Sequence, residues 1–167
     1  MLYYDVLEAL SKNKIKYLVV GGLAVILHGA ERFTHDIDVM ILMNEENILN
    51  FNNVLKKLGY LPRVPVNPDD LVNKDKVKKW IKEKNMKVFS FFNKHDTLKV
   101  IDLLINHPLD FEKSYKERVV KKVKDVEINI LSIDDLIQMK KLAGRDKDKF
   151  DILELKKVKK VKEKYND

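Results

Sequence analysis

The stretch Ile15-Lys16-Tyr17-Leu18-Val19-Val20, followed at once by Gly21-Gly22, constrains this chain more than any other. An apolar, β-branched run of this length predicts a buried strand, and the glycine pair ends it in a tight turn. Leu23, Ala24 and Leu27 then suit a short helix that stops near Gly29. From Asp36 the period changes to two. Asp36, Asp38, Met40 and Leu42 point to one side of a strand, and Ile37, Val39 and Ile41 to the other.

The same reading covers the rest of the chain. Residues 2–11 form an amphipathic helix with Val6, Leu7 and Leu10 inward, and Ile48, Phe51, Leu55 and Leu58 mark another, closed by Gly59. Asn67 and Pro68 open a helix that runs to Trp80–Glu83, where Trp80 anchors it. Lys87–Phe92 and Leu98–Ile105 make a hairpin across residues 93–97, with Phe89, Phe91 and Phe92 as core. A helix follows near Asp110–Arg118, then a short strand, Val126–Leu131. Ser132 with Asp135 caps a helix through Ala143, and a last amphipathic helix carries Phe150, Leu153, Val158 and Val161. Strands and helices alternate, so the class is α/β (α+β) with a mixed sheet flanked by helices. Residues 1–167 read as a single domain, a core of about 15–131 and a basic helical part of about 132–164.

Composition narrows the chemistry. There is no cysteine, hence no disulfide or thiolate metal site, and no apolar run approaches the ~20 residues of a membrane span. With no export signal near Met1, a cytoplasmic protein is expected. Residues 113–164 hold 17 Lys/Arg against 10 Asp/Glu, which accounts for the whole net charge of +7. A polyanionic partner such as RNA or a nucleotide, or a plain solvated lysine face, would explain that excess.

Two carboxylates at i and i+2 of a strand share one face and repel unless a cation sits between them. Oxygen ligands of this kind select hard ions such as Mg²⁺. A two-metal phosphoryl-transfer centre also needs a third carboxylate from a neighbouring strand. Asp102 is the natural candidate, because it interrupts the apolar run Val100–Leu104 and an unpaired charge there is costly. The Gly21–Gly22 turn, between a strand and a helix start, offers backbone amides to an anion. His28, His35, His95 and His107 show no metal-ligand spacing, and His35 reads as structural.

In combination these features resemble the nucleotidyltransferase superfamily, which includes DNA polymerase β, kanamycin-type nucleotidyltransferases and the tRNA CCA-adding enzymes. The residues are Val19-Val20-Gly21-Gly22, thirteen more, Asp36-Ile37-Asp38, and later Asp102. A closer likeness is to a small branch related to AbiEii-type toxins, carried by Gly21-Gly22-Leu23-Ala24, then Arg32-Phe33-Thr34-His35-Asp36-Ile37-Asp38. A second match lies at Leu136, Lys140, Ala143-Gly144-Arg145, Lys147-Asp148 and Asp151-Ile152.

The resemblance implies that Asp36 and Asp38 bind two Mg²⁺ ions bridging the phosphates of an NTP. Asp102 would hold the catalytic metal and take or polarise the proton of an attacking hydroxyl. Gly21 and Gly22 would hold the β and γ phosphates. Arg32 and Thr34 would bind phosphate or lock the turn, and Lys140, Arg145 and Asp148 would approach the triphosphate or the acceptor. The expected function is Mg²⁺-dependent transfer of an NMP to a hydroxyl on RNA, a protein or a small molecule. The basic C-terminal third, a homodimer mate or an antitoxin-like partner would complete the acceptor surface. The alternative is a noncatalytic nucleic-acid-binding or toxin–antitoxin partner protein that keeps the fold, which the presence of all three acids disfavours. A phosphatase of the haloacid dehalogenase type is rejected. It needs four apolar residues directly before the first Asp and Thr or Val two places after the second, where this chain has Arg32-Phe33-Thr34-His35 and Met40.

Overall fold

A computed structural model describes residues 3–165; Leu2, the first residue of the expected N-terminal helix, lies outside that range. In chain order the elements are α1 (Tyr4–Lys12), β1 (Tyr17–Val20), α2 (Gly21–Leu27), β2 (Ile37–Ile41), α3 (Glu45–Lys57) and β3 (Tyr60–Pro62). After a 3₁₀ turn, Pro68–Val72, come α4 (Lys74–Lys84), β4 (Val88–Asn93), β5 (Val100–Leu104), α5 (Phe111–Lys116), β6 (Val119–Val123) and β7 (Val126–Ile130). The chain closes with α6 (Ile133–Ala143) and α7 (Asp146–Tyr165).

Among the described residues seven strands form one mixed sheet in the order β3-β4-β5-β2-β1-β7-β6. β1 pairs antiparallel with β2, and β2 pairs parallel with β5, which sets Asp38 directly beside Asp102. β1 and β2 stand at the centre, and their Leu18, Val19, Ile37, Val39 and Met40 are fully buried. Burying such side chains supplies about 1.5–3 kcal/mol each, which holds the central strands and the acids they carry in place. No described helix is long and apolar enough to cross a membrane.

Capping explains where the helices start. Asn44, Asp110 and Ser132 each accept an amide three residues on, from Asn47, Lys113 and Asp135. The single helix expected from Asn67 to Glu83 is instead two pieces. The side chain of Asn67 caps only the 3₁₀ turn, and Asn73 then caps α4 by accepting the amides of Asp75 and Lys76. An Asn that bonds the backbone ahead of it competes with helix continuation, so the chain bends there.

Two other expectations change. The Lys-rich stretch after Arg118 contains a strand, β6, which pairs with β7 at one edge of the sheet. Part of the basic excess therefore lies on a hairpin, not on helices. The last helix also turns most of its expected apolar set outward: Phe150, Leu153 and Val161 are each more than half exposed, Val158 alone packs partly against the core, and Asp148, Asp151 and Leu155 are the buried positions. Ion pairs described below tie that face to α6 and to the loop before β2. In β4, Phe89 and Phe91 join the core beneath α3 and α4, as expected, with Trp80 against Phe89 at 5.9 Å. Phe92 faces the opposite side of the sheet and is half-buried.

Candidate active site

The parallel pairing of β2 with β5 gathers Asp36, Asp38 and Asp102, and one oxygen from each lies within 4.8 Å of the others. Thr34 Oγ1 donates to Asp36 Oδ1 at 2.8 Å, and Ser90 Oγ donates to Asp102 Oδ1 at 2.5 Å. Ser90 stands opposite Asp102 in the β4–β5 register, so the bond is built into the sheet. Asp38 has the least support. Burial, and then the charges of Asp36 and Asp102, push its carboxyl up to about 6, against the pull of Lys140 and Arg145. Three hard oxygen donors crowded to mutual repulsion suit a divalent cation such as Mg²⁺, whose charge would relieve that crowding.

Glycine at positions 21 and 22 has a steric reason here. Gly21 is the first residue of α2, not a separate turn, with φ of +62°, and a Cβ on it would lie 1.9 Å from Asp38 Oδ2. A Cβ on Gly22 would meet Thr34 Oγ1 at 2.9 Å and Arg32 Nε at 3.0 Å. The two glycines leave the room into which the acids and their supports pack.

Behind the acids lies a chain of ion pairs joining three segments. Arg32 Nη1 donates to Asp151 Oδ2. Lys140 Nζ reaches the same oxygen at 2.6 Å and Asp148 Oδ1 at 3.4 Å, and Arg145 Nε donates to Asp148 Oδ2 at 2.7 Å. Asp148 and Asp151 are each 1% exposed, whereas the Arg145 side chain is 59% exposed. Burial alone would raise the Asp148 carboxyl, but the Arg145 hydrogen bond and charge, with Lys140, hold it below its usual range.

A cavity of about 370 Å³ opens beside the acids. Val20, Gly21 and Asp38 form one side, and Leu136, Met139, Lys140 and Ala143 of α6, with Arg145, form another. Lys87, Val88, Leu104 and Asn106 complete it. The lining combines apolar walls with three cations, Lys87, Lys140 and Arg145, and one carboxylate, Asp38.

Each residue expected from sequence thus has a place. Asp36, Asp38 and Asp102 come together; Gly21, Lys140 and Arg145 line the cavity next to them. Thr34 orients Asp36, and Gly22 makes room for Thr34 and Arg32. Arg32 is engaged with Asp151, and Asp148 lies buried beneath Lys140 and Arg145, outside the cavity lining. Sequence reasoning placed Asp151 in the second motif without a role in the site, and singled out neither Ser90 nor Tyr3. Asp151 stands three residues after Asp148, the spacing of one helical face, and Ser90 is the polar residue in the run Phe89-Ser90-Phe91; both were available signals. Tyr3 joins the loop before β2 to the start of β5, donating its hydroxyl hydrogen to His35 O at 2.7 Å and accepting from Val100 N at 2.8 Å.

The sequence pattern of a family described as nucleotidyltransferase of unknown function (DUF6036) matches residues 3–164. No curated protein matches significantly in sequence. Among solved structures, the chain is similar to the lincosamide antibiotic adenylyltransferase LnuA in its lincomycin-bound form. The TM-score is 0.60 and the identity 18%, over 93% of this chain and 94% of that one. ANT(2″)-Ia in complex with adenylyl-2″-tobramycin gives 0.55 at 11% identity, over 99% and 95%. An antigenic nucleotidyltransferase-like protein from Paracoccidioides brasiliensis gives 0.53 at 16%, over 90% and 72%.

Proposed function

The chain belongs to the DUF6036 family of nucleotidyltransferases, and from that premise we propose a Mg²⁺-dependent enzyme that moves an NMP from an NTP to an acceptor hydroxyl. The observation that carries the reading is the meeting of Asp36, Asp38 and Asp102 within 4.8 Å, with Asp38 lining a cavity that Lys87, Lys140 and Arg145 also line. Asp36 and Asp38, with Asp102, would hold Mg²⁺, which when bound neutralises the phosphates and polarises the α-phosphorus.

The protein's own residues divide the remaining work. Asp102, held by Ser90 through one oxygen, presents the other to the acceptor and takes its proton as the new O–P bond forms. The bond from the α-phosphorus to pyrophosphate breaks on the cavity side, where Arg145 offers an exposed guanidinium and Lys140 a partly neutralised ammonium. Gly21 and Gly22 amides, at the start of α2, would receive phosphate oxygens. Arg32 and Asp151 fix the loop before β2, and through Thr34 the aim of Asp36. Asp148 sets the position of Arg145.

The test is transfer of label from each α-labelled NTP, with Mg²⁺, to RNA, protein and small hydroxyl compounds, together with NTP and Mn²⁺ binding. Transfer that Asp36→Ala abolishes is expected. Absence of both binding and transfer removes the enzyme reading.

A further inference from the structure

The hydroxyl of Tyr3 takes the place of a rung in the sheet. Asn93 N bonds Lys99 O, so in the β4–β5 register Lys99, Ile101 and Leu103 turn their backbone groups toward β4. Val100 and Asp102 therefore turn theirs toward β2, the neighbour on the other side. Continued one rung past Ile37 and Ile101, the parallel ladder would join Val100 N to His35 O. Instead Val100 N donates to the Tyr3 hydroxyl at 2.8 Å, and the hydroxyl donates to His35 O at 2.7 Å. Two hydrogen bonds through one oxygen hold the backbone atoms roughly 1.5–2 Å farther apart than a direct bond would.

This wedge stands where the acids meet. The His35 carbonyl belongs to the peptide that leads into Asp36, and Val100 lies two residues before Asp102. Thr34 ties Asp36 within its own loop, and Arg32 ties that loop to Asp151 of α7. Tyr3 ties the loop to β5, and so sets how far Asp36 stands from Asp102. The hydroxyl itself is firmly held. Tyr3 is 2% exposed, its carbonyl accepts the amide of Leu7, and Val6, Leu7 and Leu10 of α1 are fully buried. Its φ of +63° is one that residues with a side chain rarely adopt. Burial raises the phenol above its ordinary range, so it keeps the proton that it donates to His35 O.

Width matters at this scale. Mg²⁺ holds oxygen ligands at about 2.0–2.1 Å in near-octahedral geometry, so adjacent ligands of one ion are about 3 Å apart. Closing the strands by one rung is a change of half that spacing or more.

We propose that Tyr3 is a positioning residue whose hydroxyl, a spacer one oxygen thick, sets the gap between Asp36 and Asp102 to the width a divalent cation requires. The proposal rests on the metal-dependent reading above, and Tyr3 acts in it through the backbone of His35 and Val100.

Two variants of the full-length protein test this. Tyr3→Phe keeps the ring and removes the oxygen. Val100→Pro keeps Tyr3 and removes the amide that its oxygen accepts, at the first residue of a strand, where proline is tolerated. Mn²⁺ affinity is read by electron paramagnetic resonance, the Mg²⁺ requirement by labelled-NTP transfer, and the folded fraction by thermal denaturation. Each variant is expected to bind Mn²⁺ about tenfold more weakly and to need about tenfold more Mg²⁺ for half its maximal rate. At saturating Mg²⁺ the KM for NTP is expected to match that of the wild type. A lower melting temperature with unchanged Mn²⁺ affinity makes the bridge a support of the fold alone and overturns the proposal, as does failure of both variants to fold. Either result leaves the metal-dependent reading standing. A wild type that binds no Mn²⁺ overturns both.

Discussion

Two groups of carboxylates sit close together in this protein, and they are built on opposite principles. Asp36, Asp38 and Asp102 face one another with two hydroxyl donors, from Thr34 and Ser90, and, among the described residues, no ion pair at 4.0 Å or less. Asp148 and Asp151, more deeply buried, are enclosed by Arg32, Lys140 and Arg145. Proton affinity records the contrast: Asp38 is pushed up to about 6, whereas Asp148 is held below its ordinary value. One cluster is left in electrostatic deficit and suits a ligand that brings positive charge. The other is neutralised internally and serves as a strut. Acidic residues alone do not distinguish a site from a support; the placing of cations does.

Removing an acid from each cluster should break the comparison in different directions. Asp36→Ala or Asp102→Ala is expected to lower nucleotidyl transfer by about 10⁴-fold or more with the melting temperature unchanged or higher, read by labelled-NTP assay and thermal denaturation. A large fall in Tm would mean that these acids also brace the fold. Asp151→Ala should reverse the pattern. It strands Arg32 and Lys140 beside a buried void, at a cost of about 3–5 kcal/mol in urea denaturation, with activity lost mainly through unfolding.

Asp38→Asn sharpens the contrast through pH. A folded-state carboxyl raised to about 6 from an ordinary 3.8 means that folding favours its protonated form. The metal-free protein therefore gains stability as pH falls from above 6 towards 4. In EDTA at pH 7.5, Asp38→Asn should stabilise by about 2–3 kcal/mol, and the gain should vanish near pH 4. A pH-independent gain would point to packing instead of charge. The smallest effect is expected at Arg145, whose side chain is 59% exposed. Arg145→Ala should cost less than about 1 kcal/mol of stability and raise the KM for NTP several-fold. If KM does not move, Arg145 belongs wholly to the strut.

The contrast also separates what could be read from the sequence. The open cluster was legible because chemistry imposes a pattern: acids at i and i+2, a glycine pair upstream, and an acid inside Val100–Leu104. The strut was only half legible. Asp148 and Asp151 share a helical face, but their partners Arg32 and Lys140 come from distant segments that spacing along the chain does not join. The same limit reversed the outward face of α7, where ion pairs outweighed the apolar stripe of Phe150, Leu153 and Val161. β6 escaped notice because its valines are interrupted by Lys121 and Lys122, and an edge strand with both faces open needs no alternation. Ser90 drew no attention among phenylalanines, yet the cross-strand register makes it the partner of Asp102.

The space above Gly21 has a consequence for how this protein can vary. Asp38 fills the volume a side chain would take, and the backbone there has φ of +62°. Substitution at position 21 therefore strikes twice, once at the backbone and once at the carboxylate it displaces. In mutational terms the two positions are a single locus: a library that varies Gly21 for stability is also, unavoidably, a library of displaced Asp38 side chains. Compensation would have to arise at both sites together, a step that one substitution at a time does not reach.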